Sequence, residues 1–146
     1  MKPIRKRRIR VAQVREPGPG LWSNCFVAGD QFVVAGQIAY DRNDRLVGPG
    51  DPYAQSIQAL KNLKAFVEAA GARMADVLKI NVYLTDIRYR PAFVEARKKF
   101  FKGDFPAAVV VGDVTLAYPG LLVEIDAWGV IGCGGKPRKS ARGRGS

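Results

Sequence analysis

The sequence contains no histidine, only two cysteines and no long apolar run. Without histidine, Ser-His-Asp and Cys-His catalytic groups and histidine metal sites are excluded. Cys25 and Cys133 lack the CxxC spacing, and two thiols alone cannot complete a tetrahedral zinc site. No apolar run approaches the roughly 18 residues that a membrane span needs. We therefore expect a soluble, cytoplasmic protein with ordinary thiols, no metal and no other cofactor.

The positive charge lies at the two ends of the chain. The net charge is +11, and residues 1–10 carry six cations and residues 132–146 carry five, with no acid in either segment. We predict a basic N-terminal arm over 1–10, one compact domain over 11–131, and a basic, glycine-rich, disordered tail over 132–146. The ends either solubilise the protein or bind nucleic acid through its phosphates, although neither contains an aromatic residue to stack on a base. We expect no membrane partner.

The apolar periodicity predicts an α+β fold. Ile9, Val11 and Val14 suggest a first strand, and a helix is predicted from Pro52, capped by Asp51, to the residue before Gly71. Further strands are predicted at 25–28, 31–35, 78–84, 107–116 and 121–131, and a second helix at 91–101. The order β-β-β-α-β-α-β-β implies a mixed β-sheet with two helices packed on one face.

Two strands show a clear alternation of apolar and polar side chains. In the strand at 78–84, Leu78, Ile80, Val82 and Leu84 are predicted to form one buried row. In the last strand, Glu124 lies on the face opposite the aliphatic residues. Glu124 is therefore either a solvated or salt-bridged surface acid or a functional group.

Several motifs in unbroken order resemble the Rid family, also called the YjgF family. They are AGQIAYD (35–41), GDPYAQSIQALKNLKAFVEAAGA (50–72), DVLKINVYLTD (76–86), FFKGDFPA (100–107) and LLVEIDA (121–127). The resemblance covers about residues 20–131. It implies a chorismate-mutase-like fold and a homotrimer with a central barrel, with small-molecule pockets at the subunit interfaces.

The resemblance also implies an activity, the hydrolysis of reactive enamines or imines to a carbonyl product and ammonia. In the family, an arginine binds the substrate carboxylate, and main-chain groups beside it orient the imine and the water. A glutamate on the last strand holds or activates that water. The resemblance assigns this catalytic role to Glu124.

The sequence departs from the family at most of the other pocket positions. Ala108 stands where the family has its arginine, and alanine cannot replace a bidentate arginine–carboxylate pair. Trp22 replaces a tyrosine, Ala35 a serine, Val94 an asparagine and Val110 a cysteine or threonine. The predicted substrate-binding residues are Trp22, Ala35, Gly36, Val94, Arg97, Ala108, Val109 and Val110. The pocket therefore either accepts a more apolar, for example aromatic, substrate or is inactive and packs the trimer interface.

A second arginine is a candidate replacement for the missing one. Arg90, Val94 and Arg97 share one face of the second predicted helix, so Arg90 or Arg97 either reaches the pocket or faces solvent. Three functions stay open: an imine deaminase, a non-catalytic protein that binds a small metabolite, and an RNA-binding or endoribonuclease-like protein that uses the basic ends.

Overall fold

The computed structural model describes residues 2–136. Its elements follow the predicted order, and two short 3₁₀ turns, Met74–Asp76 and Ile87–Tyr89, are added. The strands and helices are β1 (Lys6–Arg8), β2 (Cys25–Ala28), β3 (Gln31–Gln37), α1 (Pro52–Ala69), β4 (Val77–Leu84), α2 (Arg90–Arg97), β5 (Ala107–Val111) and β6 (Val123–Val130).

The six strands form one mixed sheet, as predicted. Their spatial order is β1-β2-β3-β6-β4-β5. Neighbouring strands are antiparallel except β4 and β5, which are parallel. Helix α1 packs on β3 and β6 and also contacts α2, so that both helices cover the same face of the sheet. The α+β class is confirmed.

Helix α1 supplies most of the apolar side chains that cover the sheet. It begins as predicted, because the Asp51 carboxylate accepts a hydrogen bond from the Ala54 N–H at 3.0 Å and Pro52 occupies the first helical position. After the helix ends, Gly71 adopts φ +91°, a left-handed conformation that favours glycine. The largest fully buried apolar side chains of helix α1 are Leu60, Leu63, Phe66 and Val67.

Two buried amides on α1 hold the loops that lie at one end of the sheet. The Asn62 Nδ2 donates to the carbonyls of Ile38 and Tyr40, at 3.0 and 2.9 Å. The Gln55 Nε2 donates to the Gly120 carbonyl at 2.9 Å, and its Oε1 accepts from the Leu122 N–H. Buried main-chain groups need such partners, so these two side chains determine where the loops lie.

The first strand lies earlier than the apolar residues predicted. Strand β1 falls within the segment predicted as a free basic arm, and Arg7 pairs with Val27 of β2. Ile9, predicted to belong to the strand, follows it and is buried. An edge strand needs only main-chain hydrogen bonds on one side, so its charged side chains can extend into solvent.

A β-bulge at the start of β4 makes one residue of the predicted buried row, Leu78, exposed. The pairing with β6 shifts between Val77 and Lys79, which places Val77 in the core and leaves Leu78 42% exposed. Beyond the bulge the alternation holds, and Ile80, Val82 and Leu84 are buried as predicted.

Three other predicted elements are shorter in the structure. Strand β6 spans Val123–Val130 rather than 121–131. Strand β5 ends at Val111, before Asp113, whose φ of 58° is incompatible with a continued strand. Helix α2 ends at Arg97 rather than at 101, and Phe101 is buried beyond it.

The start of the predicted tail packs on the body of the protein. The Gly134 N–H donates to the buried Asp76 carboxylate at 2.8 Å, and the Arg73 guanidinium donates to the Gly135 carbonyl. These two hydrogen bonds lie at the start of the segment predicted as a disordered tail. The prediction of disorder for 137–146 lies outside the described residues.

Candidate functional site

Strand β6 carries two acids on the face of the sheet that the helices leave open. Glu124 lies opposite Tyr83 of β4, and Asp126 lies opposite Asn81. The Asn81 Nδ2 donates to the Asp126 carboxylate at 2.7 Å, and the Tyr83 hydroxyl donates to it at 3.5 Å. Asp126 is thus an acceptor for its neighbours on β4.

Glu124 differs from Asp126 because its carboxylate has no assigned donor. Within residues 2–136 it accepts no hydrogen bond and forms no ion pair. It is half-buried, and burial raises the pKa of the Glu124 carboxyl, with the nearby Asp126 charge as a second cause. The interpretation of Glu124 as a salt-bridged surface acid therefore finds no support in the described part of the chain. Its oxygens are free to accept from water or a ligand.

Gly36 of β3 lies against the Glu124 side chain. A Cβ atom added at Gly36 would overlap the Glu124 carboxylate, so only glycine allows the two to approach this closely. The pairing of β3 with β6 is irregular between Val34 and Gln37, which places a bulge at Ala35 and Gly36. Such bulges occur beside functional groups because they redirect the backbone locally.

A cavity of about 510 Å³ has Gly36 in its lining, so the cavity lies next to the residue that Glu124 contacts. It lies between the loop before β2 and the segment that follows β3. Trp22, 48% exposed, forms part of its wall, and its indole N–H donates to the Asn24 Oδ1 at 3.3 Å. Other lining residues are Val14, Arg15, Glu16, Pro17, Gly18, Leu21, Gln37, Ile38, Tyr40, Asp41, Asp44, Asn62 and Tyr118.

The predicted residues of β5 lie elsewhere. Ala108, Val109 and Val110 pair with Ile80, Asn81 and Val82 at the far edge of the sheet. Ala108 and Val109 are exposed, whereas Val110 packs partly against the core. None of the three lines the cavity.

The predicted residues of α2 also lie away from the cavity. Val94 packs partly against the core, and Arg90 is the exposed first residue of the helix. The Arg97 guanidinium lies 5.1 Å from the centre of the Phe105 ring, and its buried Nε has no hydrogen-bond partner among the described residues.

One chain therefore brings together only part of the predicted site. Trp22, Gly36 and Glu124 lie at or beside the cavity, and the Ala35 N–H donates to the Asn24 carbonyl next to it at 2.8 Å. The residues of β5 and α2 form a second group, and strand β4 separates β5 from β6.

Sequence reasoning missed two aromatic walls of the cavity. Tyr40 and Tyr118 contact each other edge to face, with their ring centres 6.1 Å apart. Tyr40 lies in the family motif at 35–41, and Tyr118 lies between the strands predicted at 107–116 and 121–131. No periodic pattern links the two, so nothing in the sequence indicated that they contact each other.

Comparison with known proteins places the chain in a family. A family model described as endoribonuclease L-PSP matches residues 15–131. The chain belongs to this family. It includes the YjgF and Rid proteins, so the resemblance drawn from the motifs is confirmed.

Named members of the family match most of the chain. A 2-iminobutanoate/2-iminopropanoate deaminase of Dermatophagoides farinae is 37% identical, over 77% of this chain and 87% of the relative. A protein of unknown function from Pseudomonas aeruginosa is 34% identical and superposes with a TM-score of 0.78, covering 88% of this chain and 94% of that one. The YjgF gene product of E. coli is 27% identical with a TM-score of 0.76, covering 85% and 98%.

Other chemistry-bearing groups do not add to the site. Burial raises the pKa of the Cys25 thiol to about 11, and the nearby Glu16 charge contributes, so Cys25 is a poor nucleophile at neutral pH. Residues 2–136 contain no cluster of three potential metal ligands. Over the same range, no helix has the length and apolar character to cross a membrane.

Proposed function

We propose that the protein hydrolyses reactive enamines or imines to a carbonyl product and ammonia. The observation that carries this proposal is the half-buried Glu124 carboxylate, held against Gly36 without a protein donor among the described residues. The family supports it, because a relative 37% identical is named an imine deaminase. A carboxylate in this state is suited to accept a proton from a bound water.

In the proposed reaction, Glu124 orients the water that attacks the imine carbon. The water oxygen forms a bond to that carbon while its proton passes through Glu124 to the imine nitrogen. The carbinolamine then passes its hydroxyl proton to the nitrogen and breaks its C–N bond, which releases ammonia and leaves the carbonyl product. Main-chain N–H groups at Ala108 to Val110, on an edge strand, are proposed to hold the substrate.

We propose that the site is completed between subunits of a homotrimer. The separation of the Trp22, Gly36 and Glu124 group from the β5 and α2 group supports this arrangement, since one chain does not bring them together. In the trimer, β5 of one subunit would lie against the cavity of the next. Val94 and Arg97 would then lie at its margin.

The proposed substrate is more apolar than those of arginine-containing relatives. Ala108 offers no charge for a carboxylate, and Trp22 supplies a flat apolar wall. An aromatic imine suits these side chains.

The test is ammonia release from a panel of imines generated in place, from small and acidic to aromatic. Glu124→Gln keeps the side-chain shape but removes the charge, and we expect it to reduce the enzymatic rate at least about 100-fold. Glu95→Gln is the matched control, because Glu95 is an exposed acid on α2 paired with Lys98. Equal rates for Glu124→Gln and the wild type would contradict the assignment.

Non-catalytic binding of a small metabolite is the second candidate, favoured by the alanine at position 108. It predicts that a ligand raises the Tm without being turned over. RNA binding is a third hypothesis. If the predicted tail causes it, deletion of residues 132–146 abolishes it, whereas binding that survives removal of both basic ends would contradict the charge argument.

A further inference from the structure

We infer that the cavity beside Glu124 takes aromatic imines without a carboxylate, the kind formed when a primary amine is oxidised. This inference rests on the proposed function and narrows its substrate class. It is drawn from the aromatic walls of the cavity and from the way its charged and amide groups are already engaged.

Three aromatic side chains form walls of the cavity. Trp22 lies on the loop before β2, Tyr40 follows β3, and Tyr118 precedes β6. The edge-to-face contact of Tyr40 with Tyr118 orients the two rings relative to each other. Ring faces and edges of this kind pack well on a flat ring. The ring faces also attract a cation such as a protonated imine.

The charged residues that line the cavity are unfavourable for an anion. They are three acids, Glu16, Asp41 and Asp44, and one cation, Arg15. Arg15 forms an ion pair with Asp44, and Glu16 pairs with Arg8 at 2.6 Å. Among the described lining residues, no cation therefore remains for a substrate carboxylate.

Asp41 keeps its negative charge at the cavity wall. Its Oδ1 accepts hydrogen bonds from the main-chain N–H groups of Arg45, at 3.0 Å, and Asn43, at 2.8 Å. These bonds hold the pKa of the Asp41 carboxyl below its usual value. A substrate carboxylate would be repelled by this charge, whereas a protonated imine would be attracted.

The amide side chains that line the cavity are also engaged by the protein. Asn24 donates to the Arg15 carbonyl at 3.3 Å, Gln37 donates to the Ala35 carbonyl at 3.0 Å, and Asn62 donates to two carbonyls of the segment after β3. None of them replaces the paired donors with which an arginine binds a carboxylate.

The reaction that supplies such a substrate is the oxidation of an arylalkylamine. A flavin-dependent amine oxidase removes two electrons and two protons from R–CH₂–NH₂, passes them to O₂ to give H₂O₂ and leaves R–CH=NH. Addition of water and cleavage of the C–N bond then give R–CHO and NH₃. The product is an aldehyde, whereas an α-imino acid would give a ketoacid.

Two imines with the same ring test the inference. Phenethylamine with an amine oxidase gives the imine without a carboxylate, and phenylalanine with an amino-acid oxidase gives the one that carries it. Semicarbazide traps the free imine, and hydrolysis by the protein is measured as the decrease in the rate of semicarbazone formation. We expect kcat/KM to be at least about tenfold higher for the carboxylate-free imine. The imine formed from phenylalanine would bring an unpaired carboxylate into the site.

A variant that removes one negative charge from the cavity tests whether the cavity causes the preference for the carboxylate-free imine. Asp41→Asn keeps a hydrogen-bond acceptor for the two main-chain N–H groups but removes the charge, so it should reduce the ratio of the two kcat/KM values. Asp30→Asn removes the same charge from the exposed turn between β2 and β3 and should leave the ratio unchanged.

The outcomes separate this inference from the proposed function. Equal rates, or faster hydrolysis of the carboxylate-bearing imine, would overturn the inference and leave the deaminase standing. Loss of such a preference in Arg97→Ala would identify Arg97 as the carboxylate anchor.

If no imine of the whole panel, these two included, is hydrolysed faster than in buffer, the proposed function fails. The charge preference of the cavity is then tested by ligand binding. Calorimetry with phenethylamine and 3-phenylpropionate compares a cation and an anion with the same ring. Tighter binding of the amine supports the inference for the cavity. Tighter binding of the acid, or no binding of either, refutes it.

Discussion

On β6, Val123, Ile125 and Ala127 lie under the helices with at most 2% exposure, whereas Glu124, Asp126 and Trp128 on the opposite face are half-buried or exposed. The first row stabilises the fold by removing apolar surface from water. In the second row, partial burial raises the pKa of the Glu124 carboxyl, and the nearby Asp126 charge adds to this effect. One face of β6 thus stabilises the fold, and the other face carries the acid of the proposed site.

The largest expected effect is a loss of stability when a residue is removed from the buried row of β4, which pairs with β6. Ile80→Ala on β4 should lower the free energy of unfolding by about 2–5 kcal/mol, because Ile80 is almost fully buried and its removal leaves a cavity. Leu78→Ala is the matched control, since Leu78 is exposed beside the bulge. Denaturant unfolding measures both. Equal losses would contradict the bulge and restore the unbroken alternation predicted from the sequence.

A smaller effect is expected at Gly36, which lines the cavity and lies against the Glu124 side chain. Gly36→Ala inserts a methyl group into the space of the Glu124 carboxylate, so the acid must move. We expect a loss of stability of at most about 1 kcal/mol, because the displaced group is the end of a flexible, half-buried side chain that can rotate away. A loss of roughly 10–100-fold in deaminase rate should accompany it, because the water would be misplaced.

Gly18→Ala controls for a change in cavity volume. Gly18 also lines the cavity, but its added Cβ would meet only Leu21, at 3.8 Å. We expect it to retain most of the activity. An equal loss in both variants would show that filling the cavity, rather than displacing Glu124, causes the effect.

The smallest effect concerns the pH dependence of stability. Because the pKa of Glu124 is raised, the folded state binds more protons than the unfolded state between the ordinary and raised pKa values. The ionised carboxylate therefore lowers stability as the pH rises through that window. Glu124→Gln should raise the Tm at neutral pH by roughly 1–2 °C, a small effect because the side chain is half exposed.

Thermal unfolding at neutral and acidic pH measures this effect. The advantage of Glu124→Gln should disappear at acidic pH, where the wild-type carboxyl is protonated as well. A variant less stable than the wild type at neutral pH would show that the ionised carboxylate makes stabilising contacts.

Much of the fold was predictable from local patterns. The helix from Pro52 follows from its cap, its proline and its apolar spacing, and the inward row of β6 follows from strict alternation. The bulge at Leu78 was not predictable, because it depends on the pairing of β4 with β6. Strand β1 was missed for a similar reason, since its pairing with β2 is made by main-chain groups and its side chains carry no apolar pattern.

The candidate site divides in the same way. The motifs identified Trp22, Gly36 and Glu124, which the structure brings to or beside the cavity. Tyr40, Asp41 and Tyr118 were missed, because the side chains of Gln55 and Asn62 hold their loops together across long stretches of the chain.

By itself the sequence determined the family, the order of the elements and the identity of the acid on the last strand, because motifs and periodicity are local properties of a chain. Tertiary structure decided which groups meet: the approach of Gly36 to Glu124, the aromatic walls, and the pairing of Arg15 with Asp44. Such contacts join residues that lie far apart along the chain. Charge and burial at the site therefore follow from packing, and no local pattern records them.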